Sequence, residues 1–98
     1  MIYTSGVWSV KEGREEEFAR AWQQSVDGMS LDYPGIVFRL LHDIENESRF
    51  ISVAGPWRNI EQVTAMRNSQ RFSDSVSAIQ ELFVGMEIAT YEVVAEVS

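Results

Sequence analysis

The side chains that could carry chemistry in this sequence are few, and they are mostly aromatic. His42 is the only histidine, and its ordinary pKa near neutrality suits a general base. It borders the polar run Asp43 to Ser48, so its structural alternative is a solvated surface imidazole. Arg39 stands in an otherwise apolar run, where a guanidinium must reach a carboxylate, an anionic ligand or water. A salt bridge to a second copy of the chain would satisfy it equally well. Trp57 offers a flat apolar wall and an indole donor, for a ligand or for anchoring a helix to a sheet. Tyr3, Trp8, Tyr33 and Tyr91 are candidates to line an aromatic pocket, against the simpler role of filling a core.

Other chemistries lack their residues. With no cysteine there is no disulfide, no thiolate nucleophile and no thiolate metal site, and a single histidine excludes a multi-histidine centre. No Ser-His-Asp arrangement or glycine-rich phosphate loop is present. The formal charge of −7 repels phosphate backbones and the eight basic residues are scattered, so nucleic acid is not an expected partner. No run approaches the roughly 18 apolar residues of a membrane span. Met1-Ile2-Tyr3-Thr4 has no basic stretch leading into an apolar one, which makes cytoplasmic residence the expectation. At 98 residues the chain suits one domain with one core, spanning 1–98.

The elements that must position these residues follow from periodicity. Ile2 to Val10 is β-branched and aromatic and stops at Lys11-Glu12-Gly13, as a strand does at a turn. Phe18, Ala21, Trp22, Ser25, Val26 and Met29 recur at helical spacing, behind Glu15, Glu16 and Glu17 in a first turn where the helix dipole favours negative charge. Pro34-Gly35 ends that helix. The runs Ile36 to Leu41 and Arg49 to Ala54 then read as a β-hairpin, with Pro56 placing Gly55-Pro56 at an edge or bulge. Asn59 and Gln62 have the pattern of a capped helix start. Phe72, Val76, Ile79 and Phe83 predict a third helix capped by Gly85, and Glu87 to Val97 alternates as a last strand.

The order βαββααβ is that of an α+β ferredoxin-like sandwich, a four-stranded antiparallel sheet with its helices on one face. The helical stripes predict burial of Phe18, Trp22, Val26, Phe72, Val76 and Ile79 against that face. The second strand sends Ile36, Phe38 and Leu40 one way and Val37 and Leu41 the other, so both faces of the sheet need cover. A second copy stacked about a two-fold axis supplies it, and a homodimer is expected.

Four stretches carry a family resemblance: Val10-Lys11-Glu12-Gly13-Arg14-Glu15-Glu16-Glu17-Phe18; Pro34-Gly35-Ile36 with Arg39-Leu40-Leu41; Arg49-Phe50-Ile51-Ser52-Val53 leading to Trp57; and Tyr91-Glu92-Val93-Val94. In this order and spacing the chain resembles the antibiotic biosynthesis monooxygenase family of the dimeric α/β barrel superfamily over nearly its whole length. The resemblance implies a homodimer whose sheets form a barrel, with a pocket in each subunit between sheet and helices. It also implies a choice of activities, because the family includes cofactor-free oxygenases of polycyclic phenols, quinol monooxygenases and heme-degrading enzymes.

Compared residue by residue, the family's polar sites are mostly absent. The heme-degrading branch has an Asn on the first strand and a Trp and a His after the third; those places fall at about Gly6, Met66 and Val76. The cofactor-free branch has an Asn four residues before the Trp matched by Trp57 and a Tyr six after it, where this chain has Val53 and Val63. A His found in many other members is replaced by Met66.

Two functions follow as expectations. The first is a cofactor-independent monooxygenase acting on a small aromatic phenol or quinol, which itself supplies the electrons. In it His42 and Arg39 are the catalytic candidates, and Trp57, Tyr3, Trp8 and Tyr91 the ligand-binding ones. Neither a cofactor nor a metal is called for. The alternative is a non-catalytic homodimer that binds or senses a small apolar metabolite, suggested by the lost polar residues.

Overall fold

A computed structural model describes all 98 residues. Strand β1 (Ile2–Val10) leads through a turn at Gly13, whose φ of 84° lies in the left-handed region open to glycine, into helix α1 (Glu15–Asp32). No side chain caps α1 at Arg14. Its start is held instead by Glu15, whose carboxylate accepts the Gly13 N–H at 2.7 Å, and by an Arg14–Glu17 ion pair of the same length. The hairpin strands β2 (Val37–His42) and β3 (Arg49–Trp57) follow. Helix α2 (Ile60–Arg67) begins where Asn59 accepts the Gln62 N–H at 2.9 Å, as its sequence pattern predicts. Helix α3 (Gln70–Ile79) is capped by Ser69 and passes through a short 3₁₀ turn into β4 (Phe83–Glu92).

All neighbours in the sheet are antiparallel, in the order β2-β3-β1-β4, so the fold is the expected ferredoxin-like one. Three boundaries differ from expectation, the first being that β3 runs past Ala54 to Trp57. Phe83 opens β4 instead of closing α3, because its backbone pairs with Val10 while its ring packs edge-on against Trp8 at 5.0 Å. Gly85 is therefore no helix cap; it lies inside β4 opposite Ser9. The strand also ends at Glu92 and not Val97. Its only neighbour is β1, which begins at Ile2, and the last bond of the pairing is Val93 N–H to Met1 O at 2.8 Å. Pro56 falls where the β1–β3 register shifts between Ile2 and Thr4, in keeping with a bulge.

Alternation divides the sheet into two faces. Toward the helices point Thr4, Gly6, Trp8 and Val10 of β1, with Phe38, Leu40, Phe50, Ser52, Ala54, Met86 and Ile88 beside them. They meet the helices in two apolar clusters, one around Trp8, Phe18, Trp22 and Phe50 and the other around Met29, Trp57, Val63 and Met66. Of the six helix residues expected in the core, Phe18, Trp22 and Ile79 are buried, whereas Val26, Phe72 and Val76 are only half-buried. The molecule measures 37 × 34 × 18 Å, the thickness of one helix layer on one sheet. On the other face Val37, Leu41 and Tyr91 lie half-exposed or more, with Ile51, Val53, Tyr3 and Val7 between them.

Candidate functional site

The half-buried helix residues border a chamber of about 90 Å³ between the sheet and helices α1, α2 and α3. All three tryptophans of the chain line it: Trp8 from β1, Trp22 from α1 and Trp57 from the end of β3. Phe38, Phe72, Met66 and Met86 complete the apolar walls, and Ile88, 48% exposed, marks where the chamber meets solvent. Its volume is below the ~150 Å³ of an engineered cavity that holds benzene, so its walls must give way before even one ring enters. The unbranched thioethers of Met66 and Met86 are the walls that yield most readily.

Polar atoms in the chamber are wired to one another. The Trp57 indole donates to Thr4 Oγ1 at 3.0 Å, and that hydroxyl in turn donates to the Ala54 carbonyl at 3.4 Å. Across the sheet the Trp8 indole donates to Ser52 Oγ at 3.0 Å. Ser75 donates to the Ser25 carbonyl at 3.0 Å, tying α3 to α1. These bonds fix the planes of two tryptophans through residues 44 and 53 positions apart in sequence. Gly6 belongs to the same close packing, since a Cβ there would meet Ser52 Oγ at 2.8 Å and Trp8 Nε1 at 3.1 Å and displace them.

Arg67 is the only ionisable residue lining the chamber. It lies in the last turn of α2, half-buried, and donates through Nη1 to Thr90 Oγ1 at 2.7 Å and through Nη2 to the Ala89 carbonyl at 3.0 Å. No histidine, carboxylate or tyrosine lines the walls, and no group of three or more His, Asp or Glu side chains is placed to hold a metal ion. The groups whose pKa is displaced lie on the exposed surface, away from the chamber. The hydrogen bond between Arg14 and Glu17 raises the first and lowers the second, and Asp43 is lowered chiefly by the Glu45 N–H.

The site residues expected from sequence separate into four places. Trp8 and Trp57 line the chamber. Tyr3, Arg39 and Tyr91 lie on the opposite face of the sheet, where Tyr3 pairs with Tyr91 and packs its ring on Gly55. His42 sits at the hairpin, its ring stacked on Phe50 at 4.1 Å and its Nε2 2.7 Å from the Glu47 carbonyl. Tyr33 packs edge-on against Trp57 at 5.3 Å without lining the chamber. Thr4, Ser52 and Arg67 were missed. The inward row Thr4-Gly6-Trp8 was the available signal for the first, because residues two and four apart in a strand share a face.

The family model for antibiotic biosynthesis monooxygenase matches residues 1–78. The chain belongs to this family. Among solved structures, a candidate antibiotic biosynthesis monooxygenase of Bordetella bronchiseptica superposes with a TM-score of 0.82 at 21% identity, over 96% of this chain and 97% of that one. One from Deinococcus radiodurans gives 0.81 at 13% identity, over 100% and 97%. A conserved protein of unknown function from Bacteroides thetaiotaomicron gives 0.75 at 22%, over 94% and 96%. At these identities the likeness shows a shared fold. No curated protein matches the sequence. Within the antibiotic biosynthesis monooxygenase family this chain thus has the shared architecture, with a chamber that is almost wholly apolar.

Proposed function

We propose that this domain is a homodimeric, cofactor-independent monooxygenase that takes a small aromatic phenol or quinol into the chamber. The supporting observation is the chamber itself, an apolar space walled by three tryptophans in a member of a monooxygenase family. Trp8 and Trp57, whose indole N–H groups are already satisfied, serve as flat walls against the substrate ring. The reaction draws its electrons from the substrate. In the ionised phenol a ring C–H carbon ortho or para to the oxygen becomes a carbonyl: one atom of O₂ enters the product, and the other leaves as water with that hydrogen and a proton from solvent. The protein's part is to hold the substrate anion away from bulk water. With no general base on the walls, the substrate must be acidic enough to lose its proton to water. Oxygen uptake with a panel of small quinols and anthrones tests this. Consumption that falls in a Trp57→Ala variant is the expected result, and uptake no greater than in that variant contradicts it.

The alternative, a domain that binds or senses a small apolar metabolite without turning it over, is favoured by one observation: the chamber holds no titratable base. Thermal shift with the same panel separates the two. A ligand at 100 times its Kd raises stability by about 2.7 kcal/mol, and such a shift without oxygen uptake supports the second function.

The second copy is proposed from the opposite face of the sheet. Val37, Leu41, Ile51, Val53 and Tyr91 form an apolar field with Arg39 among them, and no helix of this chain covers it. Stacked sheets would bury more than about 2,000 Å² in total, with folding coupled to association.

A further inference from the structure

Arg67 has donors to spare. A guanidinium carries five N–H groups, and two of them reach Thr90 and Ala89. No carboxylate lies within ion-pairing distance, although acidic residues outnumber basic ones by fifteen to eight; the three ion pairs in the structure join Arg14 to Glu17, Arg49 to Asp43 and Arg71 to Asp32. A strut between α2 and β4 needs only a neutral donor. What Arg67 adds is a fixed, half-buried positive charge beside apolar walls, which is costly when unpaired. Its two bonds to β4 hold the guanidinium plane, so the remaining donors keep one orientation and lose less entropy on meeting a ligand.

We propose that Arg67 determines the specificity of the chamber by selecting an organic anion, a carboxylate or an ionised phenol or enol, whose small apolar body lies against the tryptophan walls. This rests on the chamber being the binding site. Because no lining residue can take up a proton, the ligand enters already ionised, and the charge that Arg67 meets is the ligand's own. A guanidinium is a cation that proteins do not deprotonate, so binding of a weakly acidic phenol follows the ionisation of the phenol alone.

Benzoate and benzamide have nearly the same shape and differ in charge, and calorimetric titration of both against the full chain tests the assignment. Benzoate is expected to bind roughly tenfold or more tighter than benzamide, the advantage of hydrogen bonds to a charged partner. The preference should vanish in R67M and survive in part in R67K, while benzamide binds all three proteins alike. Binding of 4-nitrophenol, which ionises near neutral pH, should strengthen as pH rises through its own pKa in the wild type and not in R67M. The wild-type ratio and the pH series hold the test even where R67M fails to fold. Equal affinity of the wild type for benzoate and benzamide, or an R67M protein that keeps the preference, overturns the role of Arg67 and leaves the chamber as a binding site. If neither compound binds the wild type, the proposed function falls as well.

Discussion

The two faces of the sheet are made by the same strands and meet opposite conditions. On the inner face, Thr4, Gly6, Trp8, Ser52 and Ala54 lie under three helices, and every buried polar side-chain atom is hydrogen-bonded. On the outer face, Val37, Leu41 and Tyr91 are 49%, 51% and 59% exposed. A strand sends alternate residues to opposite sides, so the difference is one of register alone. The inner face is completed by this chain except for a chamber. The outer face is completed by nothing in this chain, and that contrast separates a ligand site from a proposed interface.

The largest effect should come from removing the inner cover. Phe18 is completely enclosed, packed on Trp8 at 5.4 Å and Phe50 at 5.1 Å, and Phe18→Ala should cost about 3–5 kcal/mol in denaturant unfolding. Trp22, which borders the chamber, already lacks some neighbours, so Trp22→Ala should cost less than Phe18→Ala. The reverse order would contradict the assignment of the void.

An outer-face change should act on assembly. Leu41→Asp puts a charge opposite Ile51 on the bare face, where stacked sheets would bury it unpaired. Sedimentation equilibrium should give a dimer for the wild type and a shift toward the 11.2 kDa monomer for the variant. A wild-type chain that is a well-folded monomer at micromolar concentration would remove the proposed interface.

A smaller effect should follow from cutting one polar link. Thr4→Val leaves the buried Trp57 indole N–H without its acceptor, which should cost about 1–3 kcal/mol and free the ring to turn. Unchanged stability and unchanged ligand affinity would show that the link does not set the wall.

Least of all should change at Asp43, in the exposed hairpin. Its carboxylate accepts the Glu45 N–H at 2.8 Å and faces Arg49, which hold its pKa below the ordinary value, the backbone bond first. A depressed folded pKa means that the stabilisation is present above the unfolded value, near pH 3.9. It is lost as pH falls through the lower folded one. The Glu45 amide resonance should titrate with a midpoint below that of an unfolded Asp, and a midpoint at or above it would contradict the turn.

Much of this fold is legible in the sequence because it is written in local patterns. The stripe Phe18-Trp22-Met29 and the Asn59–Gln62 cap each involve residues within a few turns of one another. Phe83 misleads because its spacing from Ile79 fits a helix as well as a strand, and only its pairing with Val10 decides. The end of β4 depends on where β1 begins, about ninety residues earlier, which no local window contains. The chamber is less legible still. Trp57 stands out by residue type, but Arg67 lies in a polar run, Arg67-Asn68-Ser69, whose composition says nothing of Thr90 across the fold. Tyr3 and Tyr91 are aromatic like the wall residues and differ from Trp8 only in strand parity, which brings them together on the outer face.

The central claim, that ligand enters on the inner face against the tryptophans, is tested most directly by following the three indole N–H resonances during titration with a small aromatic such as 4-nitrophenol. Trp8, Trp22 and Trp57 all line the chamber, so the account predicts saturable shifts of the indole signals, with the amides of Tyr3 and Tyr91 undisturbed. Indole resonances that stay fixed while Tyr3 and Tyr91 move would place the ligand on the other face and contradict it.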